Sequence, residues 1–283
     1  MRAEQLTGPV AFHGEGPVWS ERWGGLQWVD MLAGDVLSLA DDGSVGRRHV
    51  GEVAAAARAD RGGGGAVLGV ERGFALEDPD GTLTLLGELW SGGEGRMNEG
   101  GCDPDGRFYC GSMAHRQRPG GAALYRLDPR GAVRVELAGV TVSNGLDWSP
   151  DGSRAYYVDT ATGAVSLFDY DPAAGLTGER TFVEIPRAAG VPDGLTVDAE
   201  GGVWVALYGG GGVLRYTADG VLDGVVEVPT GKVTACTLGG PLLTRLYITT
   251  SREGLPPDGD PLAGSLFSAD VGVRGLPVRE FAG

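Results

Sequence analysis

Short apolar stretches alternate with polar, glycine-bearing turns along the whole chain, and none approaches the run of about twenty apolar residues that a membrane helix requires. One pattern recurs six times: a turn carrying glycine, then an apolar strand. It reads ERWGGLQWVD, ADRGGGGAVLGV, DPDGRFYCGSM, SPDGSRAYYVD, DAEGGVWVALY and GGPLLTRLYITTS. The turn glycines fall at Gly24, Gly62, Gly106, Gly152, Gly201 and near Gly239, at separations of 38, 44, 46, 49 and about 38 residues. Between these segments runs a second pattern of small residue, strand, turn and strand, from GDVLSLADDGSV to the terminal GSLFSADVGVRGLPVREF. Each unit then carries about four short strands in 40 to 50 residues, the size of one propeller blade. The pattern predicts an all-β, six-bladed β-propeller closed as a single domain over residues 1–283, because no stretch of different composition serves as a linker.

Equivalent positions of a propeller repeat stand at equivalent places around its axis. Eight or nine residues before the turn glycines stand Glu15, Ala54, Asn98, Asn144 and Asp193, with Lys232 in the sixth unit. Five of the six are polar and precede apolar strand residues, so the spacing predicts a polar ring at one mouth of the central channel. Taken singly, the Asn-Gly and Asp-Gly pairs at 144–145 and 193–194 are ordinary turn signals. Their recurrence in register argues for a shared site. Glu15, Asn144 and Asp193 offer only oxygen, which suits a hard divalent cation. The three histidines, at 13, 49 and 115, have no HExxH spacing and argue against a three-histidine zinc centre. His13 lies two residues before Glu15 and would share its strand face, as a packed imidazole rather than a ligand.

Composition narrows the partners. The chain holds 38 acidic and 23 basic residues, a formal charge of −15, which repels phosphate backbones and anionic membranes. Neither nucleic acid nor a membrane is an expected partner. Cys102, Cys110 and Cys236 are odd in number and lack CxxC spacing, which fits reduced, packed thiols. With no apolar core behind the start MRAEQLTGPV, the expected location is cytoplasmic.

The segments GEGPVW (14–19), RMNEGGCDPDGRFYCGSM (96–113), VSNGLDWSPDG (142–152), VPDGLTVDAEGGVWVA (191–206) and KVTACTLGG (232–240) stand in the order found in the SMP-30/gluconolactonase family, which the chain resembles over nearly its whole length. The resemblance implies a metal-dependent sugar lactonase. Glu15, Asn144 and Asp193 would bind one divalent ion, with Ca²⁺ ahead of Mn²⁺, Mg²⁺ or Zn²⁺, and Arg96 and Asn98 would contact the lactone. Asp193 would also be the base toward the attacking water, with Arg96 and Asn98 holding ring hydroxyls and the developing oxyanion. One departure concerns the loop before the ALY strand, AHRQRPGG, where Arg118 stands nearest a position that is acidic in better-known sugar lactonases. Two other readings stay open: a hydrolase of phosphotriesters or larger lactones on the same metal site, and a Ca²⁺-stabilised binding propeller without turnover. A surface ion pair with Glu94 or Glu99 is the alternative role for Arg96. The expected assembly is a monomer or small homo-oligomer.

Overall fold

Six four-stranded antiparallel sheets form in the computed structural model, which describes residues 1–60 and 62–283. Arg61, in the turn of the second unit, lies outside the described residues. Blade 1 runs outward through Gly14–Ser20, Gly25–Asp30, Asp35–Leu39 and Val45–His49. The innermost strands of blades 2 to 6 are Ala54–Ala59, Gly95–Cys102, Ser143–Trp148, Val191–Val197 and Val233–Gly239. The chain is a six-bladed β-propeller, as its repeats predict.

The apolar segment after each turn is the second strand of a blade. It is flanked by strands in its own sheet and covered by blades on both faces, so it reads as a nearly continuous apolar run, as in YYVD at 156–159. Outer strands meet solvent; Leu83–Glu88 is exposed at all but its first residue. The core lies between blades. Trp148 of blade 4 meets Tyr109 of blade 3 edge-on at 5.3 Å, and Trp19 of blade 1 stacks on Tyr247 of blade 6 at 5.8 Å.

Three expectations shift. The positive-φ glycines of the second and sixth turns are Gly64 (φ 78°) and Gly240 (φ 83°), one or two residues beyond the expected positions. The sixth unit does not supply its own fourth strand; Glu4–Gln5 pairs instead with Phe267–Asp270 and joins the two ends of the ring. The last residues, read as strand, form a strap across the opposite mouth. Arg279 donates to Ser149 O (3.0 Å), Glu280 pairs with Arg22 (2.8 Å), Phe281 N donates to Ala59 O (2.9 Å) and Ala282 N to Gly106 O (2.9 Å). Residues 276–279 close an axial cavity of about 70 Å³ at that end. Among the described residues, no helix is long and apolar enough to cross a membrane.

Candidate metal centre

The strand register of all six inner strands slips at the same level. Pairing is interrupted between Glu15 and Val18, Ala54 and Ala56, Met97 and Gly100, Ser143 and Leu146, Pro192 and Leu195, and Val233 and Ala235. A bulge frees residues from the ladder and re-aims their side chains. Asn98, Asn144 and Asp193 sit in these bulges, and Glu15 stands immediately before its own.

The Asn-Gly and Asp-Gly pairs are therefore strand features here. A Cβ on Gly145 would stand 2.5 Å from Leu195 N, and one on Gly194 2.4 Å from Ala235 Cβ. Their glycines let neighbouring inner strands close in on the axis. Register also corrects the sixth ring position. Thr234 occupies the bulge and donates to Gly14 O (2.6 Å), whereas Lys232 precedes the strand, its ammonium 5.0 Å from the Tyr208 ring centre. In blade 2 the freed residue is Ala55, next to the expected Ala54.

Above the bulges opens a cleft of about 1130 Å³ whose walls include Glu15, Arg96, Asn98, Asn144 and Asp193, so the five expected site residues share one space. Glu15 (2% exposed), Asn144 (5%) and Asp193 (5%) each bury one oxygen that has no hydrogen-bond partner among the described residues: Glu15 Oε2, Asn144 Oδ1 and Asp193 Oδ1. A buried, unpaired polar atom costs about 1–3 kcal/mol, and more when charged. Three such oxygens come from three blades at one mouth, and a cation there would offset their burial. Burial, followed by the fields of Asp193 and Glu99, holds the Glu15 carboxyl well above the usual range. Burial and then Glu99 do the same to Asp193.

The orientation of Asn144 has a visible cause. Its Nδ2 donates to Thr160 Oγ1 (3.0 Å) and its amide also favours the Asp193 carboxylate, which turns Oδ1 the other way. Asp159 anchors this arrangement: its carboxylate accepts from Thr141 N (2.8 Å) and Val142 N (2.9 Å), and from Ala161 N (3.3 Å) in the 3-10 turn Thr160–Thr162. Asp30 plays the matching part in blade 1, accepting from Phe12 N (3.0 Å) and His13 N (2.9 Å) ahead of Glu15.

Arg96 is buried and uses Nη1 on Met31 Sδ (2.7 Å), Met97 O (3.1 Å) and the Asn98 carboxamide oxygen; among the described residues it forms no ion pair with Glu94 or Glu99. Asn98 donates from Nδ2 to Ser143 O (2.8 Å). The imidazole of His13 contacts Ser251 Oγ (2.7 Å) through Nδ1, and its Nε2 lies 3.6 Å from Glu15 Oε1. Burial first, then Arg96 and Lys232, lowers its pKa to about 3, so it stays neutral.

Glu99 was not singled out by the sequence pattern. It is buried beside Asn98 in the same bulge, its Oε1 accepting from Gly100 N (3.0 Å) and its Oε2 without a hydrogen-bond partner among the described residues. Its neighbours in the NEGG run hid it, because a ring argument takes one residue per blade. Thr160, Tyr208 and Glu253 also face the cleft from positions that carry no motif. The loop after Ala114 contributes His115 and Gln117 to the wall; Arg118 is exposed outside it, so the sequence departure does not place an arginine in the cleft.

No group of three or more His, Cys, Asp or Glu side chains stands at ligating separation among the described residues. A metal held here would rest on two carboxylates and a carboxamide, a donor set that fits a hard divalent ion and not a thiolate- or imidazole-seeking one.

A propeller with an oxygen-lined polar ring at one mouth defines a class of protein, and comparison with known proteins gives the family. The model of the SMP-30/Gluconolactonase/LRE-like region matches residues 13–252, and the chain belongs to that family. Regucalcin of Oryctolagus cuniculus is 34% identical over 283 aligned positions, covering 95% of each chain. A regucalcin from Agrobacterium tumefaciens, described as a calcium-binding protein, has a solved structure that matches with TM-score 0.91 at 28% identity, covering 99% of this chain and 96% of that one. A gluconolactonase from Xanthomonas campestris matches with TM-score 0.76 at 25% identity, over 93% and 87% of the two chains.

Proposed function

We propose that this protein is a metal-dependent lactonase that opens sugar lactones, with Glu15, Asn144 and Asp193 as ligands of one divalent cation, Ca²⁺ first. The carrying observation is the set of buried, unpartnered oxygens on those three residues, facing a cleft that also holds Arg96 and Asn98. When bound, such an ion polarises an ester carbonyl and acidifies water. Asp193 supplies the second carboxylate oxygen needed to accept a proton from the attacking water. Among the described residues Arg96 commits only Nη1, so Nε and Nη2 remain to hold the lactone and the negative charge growing on its carbonyl oxygen. Asn98, fixed by Arg96 on one side and Ser143 O on the other, offers its remaining N–H beside them.

The calcium-binding description of the Agrobacterium relative favours one further reading, a binding propeller without turnover. A buried guanidinium with free donors beside the ligands exceeds what ion storage requires. The test assays sugar lactones, an aryl ester and a phosphotriester with Ca²⁺, Mn²⁺ or Zn²⁺ and after chelation. Hydrolysis confined to lactones and dependent on metal supports the proposal; metal binding with no turnover supports storage, and preference for the phosphotriester replaces the substrate. Cys110 and Cys236 are buried and form no disulfide among the described residues, which supports the cytoplasmic location that the sequence suggests.

A further inference from the structure

The cleft is not confined to the axis. It continues radially over the top of blade 4, where each of the four strands contributes: Asn144 from the inner strand, Thr160 just past the end of Arg154–Asp159, Ala164 at the start of Ala164–Asp171, and Thr181 and Glu184 from Gly175–Glu184. Strands lie about 4.8 Å apart, so inner to outer strand spans roughly 14 Å. Drug-sized ligands occupy clefts of about 300–1,000 Å³. At about 1130 Å³ this one exceeds the need of a single six-carbon lactone.

We infer that the groove over blade 4 is a second sugar subsite, and that the preferred substrate is a lactone carrying a neutral glycosyl unit. The inference rests on the lactonase reading of the axial site. Threonine hydroxyls at 160 and 181, one carboxylate at Glu184 and one guanidinium at Arg187 make its lining both donor and acceptor with charges that cancel. Neither Glu184 nor Arg187 is tied into an ion pair among the described residues, so both can serve a ligand. A phosphate or carboxylate substituent would meet no excess of positive charge there, and the chain as a whole carries −15. A polyhydroxyl ring fits this balance. In a 1,5-lactone the reacting carbon and C4 lie across the ring from one another. With C1 at Asp193 and C4 turned toward Asn144, a 4-O-glycosyl unit would extend outward over blade 4.

The test compares kcat/KM of the metal-loaded protein for glucono-1,5-lactone and for its 4-O-glucosyl derivative, cellobiono-1,5-lactone. Two or three added hydrogen bonds predict a ratio of about tenfold in favour of the glycosylated lactone. The ratio should fall toward one in Thr181→Val/Glu184→Gln, a surface pair whose exchange leaves the core intact. A ratio at or below one in the wild type, or a ratio indifferent to the double variant, overturns the subsite. If neither lactone is opened, the lactonase reading fails by itself, and the subsite is judged by calorimetric binding of cellobionate against gluconate. Binding about tenfold tighter for cellobionate sustains it, and equal binding overturns it.

Discussion

At the scale of single residues, the proposed centre depends on groups that orient its proposed ligands as well as on those ligands. Thr160 accepts the Asn144 amide and so decides which of its atoms faces the site. Replacing an orienting partner of this kind commonly costs 10–100-fold in metal affinity. Thr160→Val, which keeps the shape and loses the acceptor, should weaken metal binding by about tenfold, while Thr160→Ser should retain it; calorimetric titration of both variants is the check. Proton linkage follows from the raised carboxyls of Glu15 and Asp193. Without metal, the folded state holds protons that the unfolded chain releases near pH 4, so these two groups favour folding at low pH and lose that contribution as pH rises through their raised values. The proposed metal would need both groups ionised. Its affinity should therefore climb with pH above the ordinary carboxylate range, with protons released on binding; titrations in two buffers of different ionisation enthalpy would show the release, and pH-independent affinity would contradict it. Glu15, Asn144 and Asp193 stood out in the sequence because each lies eight or nine residues before a turn glycine. Glu99 and Thr160 did not, since one shares a blade with Asn98 and the other reaches Asn144 only through the fold.

At the scale of elements, the recurring device is a bulge in each inner strand, in two of them with a glycine, Gly145 or Gly194, that lets neighbouring inner strands meet. The sequence pattern located the inner strands and gave the order of their site residues, but it could not show that the Asn-Gly and Asp-Gly pairs lie within strands. Turn and bulge use the same residue types, and only pairing across the sheet separates them. Lys232 was drawn into the ring for the same reason: counting from a glycine misses a shift that the ladder reveals at Thr234. Gly194 has no positive φ, so its role is close approach. Gly194→Ala should force Ala235 away and destabilise the ring by about 1–3 kcal/mol, as overpacking does. A thermal melt unchanged by this substitution would remove the argument from contact.

At the scale of the whole molecule, the ring is joined twice, by Glu4–Gln5 in blade 6 and by the C-terminal strap over the opposite mouth. The repeat count made the six blades legible. The strap was not, because its VREFAG end reads like another outer strand until contacts with blades 1 to 4 appear. Phe281, 2% exposed in the core of blades 2 and 3, anchors it. Phe281→Ala should cost about 3–5 kcal/mol in chemical denaturation, and an exposed residue's effect of a few tenths would refute the anchoring role.

The central claim is that one divalent cation sits on oxygens supplied by Glu15, Asn144 and Asp193. Calorimetric titration of Ca²⁺ and Mn²⁺ into chelator-treated protein tests it most directly, run on the wild type and on Glu15→Gln, Asn144→Ala and Asp193→Ala. The account predicts one site per chain in the wild type and a loss of affinity in every variant, since each removes or weakens one ligand oxygen. Wild-type affinity in all three variants, or no binding to the wild type, would contradict it.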